Sequence, residues 1–306
     1  MVYKNNKNKS KIEFPSVTVV LPTMNRQKSL KETLFSLYNM NYPRKQLEVL
    51  VIDNGSRDKT SEMVKKYFPR ITLITLPENI GFAPALNLGI EHSKGKYIFI
   101  TNDDVIFDKQ CLKELVKLAQ NDKTIGIVGG KMFFRDQPDI VALPGFRVNI
   151  WLGYHPYDFE GAESVRKMDV ATGGCMLIRR SMLDITGPFD PGFFFCGEDY
   201  DLCFRAKTTG FKVMYCPTAL LWHEFAGSGQ QTNESLFAHY RGKFRFMLIH
   251  ATPLQILVFS PIQVVAGRRH LGPISSAFVW NLKNLQSTLQ SRNNVAQLKR
   301  RTFSHR

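Results

Sequence analysis

Beyond Glu234 the chain has no aspartate and no glutamate. Residues 235–306 set eleven lysines and arginines against that absence, and residues 1–14 set four lysines against one glutamate. The net charge of +15 therefore belongs to the two ends, and residues 15–234 are nearly neutral. Basic ends of this kind meet anionic lipid headgroups or nucleic acid, or are simply solvated. Cysteine is scarce: five residues, an odd number, with no CxxC. That argues against a disulfide framework and a zinc knuckle and fits a reducing compartment. No GxGxxG follows a strand pattern, which removes the dinucleotide fingerprint. The opening MVYKNNKNKSKIEF lacks an apolar core, so no signal peptide is expected and residues 1–14 read as a disordered basic lead-in. There is no internal repeat and no low-complexity segment. What remains is 306 residues with 43% hydrophobic content, enough for one large α/β domain with an appendage.

Short apolar, β-branched runs recur at 17–21, 49–53, 71–75, 97–101 and 125–129. Such runs suit buried parallel strands. Helical patterns lie between them, at 27–40, 59–67, 83–93 and 109–120. Strand alternating with helix predicts βαβ units and a mostly parallel sheet flanked by helices. Ligands of such sheets bind beyond the carboxyl ends of the strands. Residues 130–165 read as irregular, and a second αβ section follows. From 235 the character changes. Phe244, Met247, Leu248, Ala251, Leu254, Leu257 and Val258 fall on one helical stripe with basic residues on both flanks. Pro253, Pro261, His250, Gln255 and Gln263 interrupt it, against a simple spanning helix. An interfacial amphipathic segment is the favoured reading, and a pair of helices packed on the domain is the plainer one.

Four places carry candidate chemistry. Asp53 ends an apolar strand, where an acceptor can bond a base edge or ribose hydroxyl; the following Ser56 and Asp58 read as helix caps. Asn102-Asp103-Asp104 follows the 97–101 strand, and adjacent carboxylates there suit Mg²⁺ or Mn²⁺ bridging a diphosphate. A turn serving the next helix is the alternative, with Asp108 as a rival cap. His223 follows a short strand and precedes the Gly-rich AGSGQQ, a position that fits metal ligation as well as a structural role. Finally, FFFCGEDYDLCFR (193–205) sets Glu198 and Asp199 against Phe193–Phe195. A carboxylate beside apolar groups has a raised pKa and can accept a proton near neutral pH. Asp201 pairs with Arg205 at i+4 and reads as structural.

In order, VVLPTMNR, VIDNGSRDKT, NIGFAPALNLGI, TNDDV, TGGCMLIRRSMLDITGPFDPGFFFCGEDYDLCFRA and WHE resemble the inverting glycosyltransferases of family 2, rhamnosyltransferase-like members above all, over about residues 16–226. The resemblance implies a GT-A fold at 15–234 with a basic, amphipathic, membrane-associated region at 235–306. It implies a nucleotide cradle of Pro22, Thr23, Asn25, Arg26 and Asp53, closed over by Asn79, Gly81 and Phe82. Asn102-Asp103-Asp104 matches the family's DxD motif with Asn at its first acidic position. Asp104 and His223 are then the expected ligands of Mn²⁺ or Mg²⁺, with Asp103 against the ribose or donor sugar. Asp199, beside Glu198, is the expected general base. Gly173, Gly174 and Phe195 are expected on the donor-sugar and acceptor side. The implied reaction moves a sugar from dTDP-rhamnose or a UDP-sugar to a glycan or lipid-linked hydroxyl. The implied location is the cytoplasmic face of the cell membrane, on an anionic surface, without nucleic acid. A nucleotidyltransferase making NDP-sugars is a competing reading, but LPTMNRQKSL lacks its glycines. A non-catalytic membrane-binding module is another.

Overall fold

A computed structural model describes residues 14–143, 146–151, 162–224 and 232–304. Residues 1–13 of the basic lead-in, Pro144, Pro156 and the AGSGQQ stretch lie outside the described residues. The chain runs β1 (Val17–Thr23), α1 (Gln27–Tyr38), β2 (Leu47–Asp53), α2 (Thr60–Tyr67), β3 (Thr72–Thr75), α3 (Phe82–His92), β4 (Tyr97–Thr101), β5 (Val105–Phe107) and α4 (Cys111–Asn121). It continues through β6 (Ile125–Phe134), β7 (Val141–Leu143), β8 (Arg166–Lys167), β9 (Cys175–Arg179), α5 (Arg180–Thr186), α6 (Glu198–Thr208) and β10 (Lys212–His223). Four helices close it: α7 (Asn233–His250), α8 (Pro253–Ala266), α9 (Leu271–Lys283) and α10 (Leu285–Ser304).

The sheet order is β3-β2-β1-β4-β9-β6-β10-β5, with β7 on β6 and β8 on β10. The first four strands are all parallel. Beyond β4 the sheet is mixed: β9 runs antiparallel to both β4 and β6, while β10 runs parallel to β6. Every residue of β1 is buried because helices cover both faces. Alternation then splits its side chains. Val17, Val19 and Leu21 join Leu30, Leu34 and Leu112 in one core, and Val20 joins Leu86, Ile90 and Leu202 in the other. Truncating a buried leucine such as Leu34 to alanine costs about 2–5 kcal/mol. The stretch from 130 is not irregular at its start, because β6 runs through to Phe134. Gly129 and Gly130 allow close packing there: a Cβ would meet Met168 and Ala171 at one and the Ala219 carbonyl at the other.

The single apolar stripe expected past residue 243 divides into two helices. Thr252 caps α8 in a reciprocal capping box with Gln255, and Pro253 occupies the first helical turn, so the α7 ladder ends at His250. On α7, Phe244, Phe246, Met247 and Ile249 are buried in a third core that includes Phe193, Phe259 and Ile274. On α8, Leu254 and Leu257 are 59% and 71% exposed. Packing therefore accounts for α7, and the apolar outer surface of α8 remains open. Buried polar links dock α7 to the domain. Arg245 donates to both carboxylate oxygens of Asp190 at 3.1 and 2.9 Å and to Thr288 at 2.8 Å. His250 meets Asp201 at 2.8 Å. Among the described residues no helix is long and apolar enough to cross a membrane.

Candidate active site

The carboxyl ends of β1, β2, β4 and β10 meet on one side of the sheet, and the turns that leave them are tied together. Asn25, in the left-handed region at φ 54°, accepts from the Arg57 N–H at 2.7 Å, while its own N–H donates to Ser56 at 2.9 Å. Asn54 holds the segment over these turns: it donates to Asn79 and the Gly81 carbonyl and accepts from the Ile80 N–H at 3.0 Å. Nothing in the sequence reading singled out Asn54; its place directly after Asp53 was the available signal. Gly81 has φ 99°, and a Cβ there would strike the Phe194 ring at 2.6 Å.

Asp53 is 1% exposed, and its carboxylate accepts from the Ser56 N–H and the Ser61 hydroxyl. These bonds shape the turn that leaves β2 and use one acceptor site on each carboxylate oxygen, leaving each oxygen a second. Pro22 and Thr23 lie buried in the β1 ladder, whereas Asn25 and Arg26 are exposed beside it. Thr23 donates to Asp103 at 2.6 Å. Burial raises Asp103 to about 6 against the opposing effect of that bond. Asp108, not the NDD triplet, serves the next helix, accepting from the Gln110 N–H at 2.7 Å.

Thr101 donates to the Gly174 carbonyl at 3.0 Å, which fixes β4 against the start of β9 and sets Asn102 at the head of a cavity of about 290 Å³. His223, the last residue of β10, reaches the same place. Its Nε2 lies 3.0 Å from the Asn102 amide and 3.2 Å from Asp104 Oδ1. Burial lowers His223 to about 4, with Glu224 and Arg26 acting in opposite directions, so the ring is neutral. The Asn102 amide then donates to Nε2, and the 3.2 Å approach of Asp104 is acceptor to acceptor. Consistent with this, Asp104 Oδ1 is buried with no hydrogen-bond partner. A buried carboxylate oxygen beside an imidazole lone pair fits a divalent cation. Among the described residues no third His, Cys, Asp or Glu joins them, so protein side chains alone do not complete such a site.

Glu198 and Asp199 form another wall of the cavity. The turn before them is unusual: Cys196 has φ 68° and Gly197 φ 96°, two successive left-handed residues that throw the first turn of α6 toward the cavity. Glu198 is buried, and its Oε2 has no partner. Burial, then the neighbouring Asp199, raises the Glu198 pKa far above the carboxylate range. Burial also raises Asp199, but N–H groups of Tyr200 at 2.9 Å and Gly173 at 3.4 Å oppose the shift. Near neutral pH the pair shares one proton, which rests on Glu198 because Asp199 has more N–H donors to hold its charge. Gly173 thus contributes its backbone N–H. A Cβ at Gly174 would meet the Met132 methyl at 2.8 Å and stand in ordinary contact with Asn102 and His223 at 3.6 Å.

The three phenylalanines separate. Phe195 lines the cavity edge-on to Phe82 at 6.3 Å, Phe194 packs on Gly81, and Phe193 is buried under α7. Asp201 turns away, bonded to Arg205 at 2.8 Å and to His250. Burial alone would raise it, but the Arg205 guanidinium and the His250 hydrogen bond hold it at about 2. The remaining wall comes from α7, through His239, Gly242, Lys243 and Phe246. No pattern in the sequence ties these residues to a site forty residues upstream.

A glycosyl transferase family 2 model matches residues 18–186. The chain is 28% identical over 219 residues to the probable glycosyltransferase YdaM of Bacillus subtilis (69% of this chain, 51% of the relative). It is 26% identical over 230 residues to an N-acetylglucosaminyl-diphospho-decaprenol L-rhamnosyltransferase of Mycobacterium tuberculosis (66% and 74%). Thus the chain spans about half the length of YdaM. Among solved structures, a mannosyltransferase of Pyrobaculum calidifontis in complex with GDP-Man and Mn²⁺ superposes with a TM-score of 0.59 at 19% identity, covering 95% of this chain and 88% of that one. At that identity the likeness concerns the fold, which is GT-A.

Proposed function

The chain belongs to glycosyl transferase family 2, and from that premise we propose that it transfers a sugar from a nucleotide-diphosphate donor to a hydroxyl acceptor with inversion. The observation that carries this reading is one cavity with two kinds of acidic site: the Glu198–Asp199 pair, and Asp104 Oδ1 facing a neutral His223. Asp199 accepts the proton of the acceptor hydroxyl as that oxygen attacks the anomeric carbon and the bond to the diphosphate breaks. Glu198, carrying the shared proton, adds no second charge beside it. Asp104 and His223 would hold Mn²⁺ or Mg²⁺, which neutralises the departing diphosphate when bound. Asn54 orders Asn79–Gly81 as the cover of the nucleotide, Asp103 with Thr23 faces the ribose or donor sugar, and Phe82 and Phe195 exclude water.

The donor is dTDP-rhamnose or a UDP-sugar. A thermal-shift panel of NDP-sugars, with and without Mn²⁺, tests this, because a ligand of the folded state raises Tm by mass action. A metal-dependent rise with one nucleotide sugar is expected; no rise with any of them counts against the donor assignment.

The same reading places the protein on the cytoplasmic membrane face. The open face of α8 and α9 presents Leu254, Leu257, Val265, Leu271 and Phe278, with Arg268 and Arg269 between the helices. No acidic residue lies anywhere beyond Glu234 to oppose anionic headgroups. Sedimentation with phosphatidylglycerol vesicles, abolished by Leu257→Asp with Val265→Asp, is the expected result. A wild-type chain that stays in the supernatant would remove the membrane assignment.

A further inference from the structure

Helix α7 forms a wall of the cavity because Gly242 lets it in: a Cβ at that position would lie 2.0 Å from the Cys196 carbonyl. The next residue, Lys243, is half-buried in that wall. The two other cations near it on α7 are spoken for. Arg241 lies over the rings of Phe194 and Trp280 and donates to the Phe195 carbonyl, and Arg245 pairs with Asp190. Among the described residues the Lys243 ammonium makes no hydrogen bond and no ion pair, and it lies over the Phe259 ring of α8 at 5.8 Å. Burial lowers it to about 8, with no carboxylate opposing the shift.

A half-buried ammonium without a counter-charge is unfavourable until an anion joins it. The donor diphosphate is not the fitting anion. The charges that act on His223 are Glu224 and Arg26, whereas Lys243 acts on His239. Lys243 lies instead on the α7 wall of the cavity, with its ammonium 5.8 Å from Phe259 of α8, the helix whose outer leucines are exposed.

We propose that Lys243 binds a phosphate group carried by the acceptor, at the α7 wall of the cavity. The proposal rests on the sugar-transfer reading above and names its acceptor class: a phosphate- or diphosphate-bearing molecule whose hydroxyl reaches Asp199. A phosphate near an exposed apolar helix comes from a lipid headgroup or from a soluble phosphate ester, and the two are separable.

Binding to the full chain is measured by calorimetry with citronellyl diphosphate, uncharged citronellol and glycerol 3-phosphate, for wild type, Lys243→Met and Lys243→Arg. Binding of UDP and of dTDP, each with Mn²⁺, is measured alongside as a report on the donor side. Citronellyl diphosphate should bind wild type at least about tenfold more tightly than citronellol, as a charge-assisted contact predicts. Lys243→Met should lose that advantage, Lys243→Arg should keep most of it, and UDP affinity should change less than about twofold. If glycerol 3-phosphate binds as well as citronellyl diphosphate, the phosphate source is soluble and the site stands. Three results overturn the proposal: Lys243→Met binding the diphosphate like wild type, a folded Lys243→Arg binding no better than Lys243→Met, or Lys243→Met losing UDP instead. A wild type that binds neither UDP nor dTDP sinks the donor reading, and that failure is read separately from the phosphate arms.

Discussion

Asp199 and Asp201 stand two residues apart in the first turn of α6, and the fold uses them in opposite ways. Asp199 faces the cavity with two backbone N–H groups and a buried glutamic acid for company, and its pKa is raised. Asp201 faces α7, bonded to Arg205 and His250, and its pKa is held at about 2. Residue type and position in the helix are nearly the same. The partner decides: a carboxylate with a cation becomes a fastener, and one denied a cation becomes a proton acceptor.

The sharpest way to break this comparison is to neutralise each residue in turn. Asp199→Asn removes the proton acceptor and should lower transfer about 10²–10⁴-fold while sparing nucleotide binding, the range for general base catalysis. Near-normal turnover removes Asp199 from that role. Asp201→Asn should leave the chemistry but cost about 3–5 kcal/mol of stability in denaturant unfolding, because Arg205 loses its buried counter-charge and His250 its carboxylate partner. The sign follows from the depressed pKa: this contribution is present above the ordinary aspartate value and is lost as pH falls toward about 2. An Asp201→Asn variant as stable as wild type means the fastener contributes nothing. Asp104→Ala acts at the cavity's other acidic site. It should weaken Mn²⁺-dependent nucleotide binding by at least about tenfold, and an unchanged metal titration takes Asp104 out of the cation site.

The contrast also marks what a linear reading reaches. The strands were legible because β-branched runs buried on both faces leave little choice of structure, and β1 to β4 formed where those runs lie. Asp201 was legible because its partner Arg205 is four residues away on the same helix, while its second partner, His250, lies 49 residues on and was not. The bonds that hold Asp53 were only partly legible: its place at the strand end shows in the sequence, but Ser56 and Ser61 reach it only once the turn and α2 have formed. The apolar stripe misled because helical spacing continues across Ala251–Pro253, although the capping box at Thr252 starts a new helix there. Lys243 and Gly242 were out of reach, since their role depends on where α7 docks.

The smallest expected effect tests the comparison most directly, because the activity-destroying change at Asp199 should stabilise the protein. A carboxyl whose folded pKa is raised above its unfolded value binds its proton more tightly in the native state. Its stability contribution is therefore fully present below the unfolded pKa and falls as pH rises through the raised value. At pH 8 Asp199→Asn relieves that burden and lets Glu198 ionise without a charged neighbour. Its Tm should exceed that of wild type by roughly 2–4 °C, the shift that about 1 kcal/mol gives a chain of this size. At pH 4 the difference should nearly vanish, while Asp201→Asn stays below wild type at both values. A Tm for Asp199→Asn below wild type at pH 8 would show that Asp199, like Asp201, is held by bonds worth more than the charge they bury.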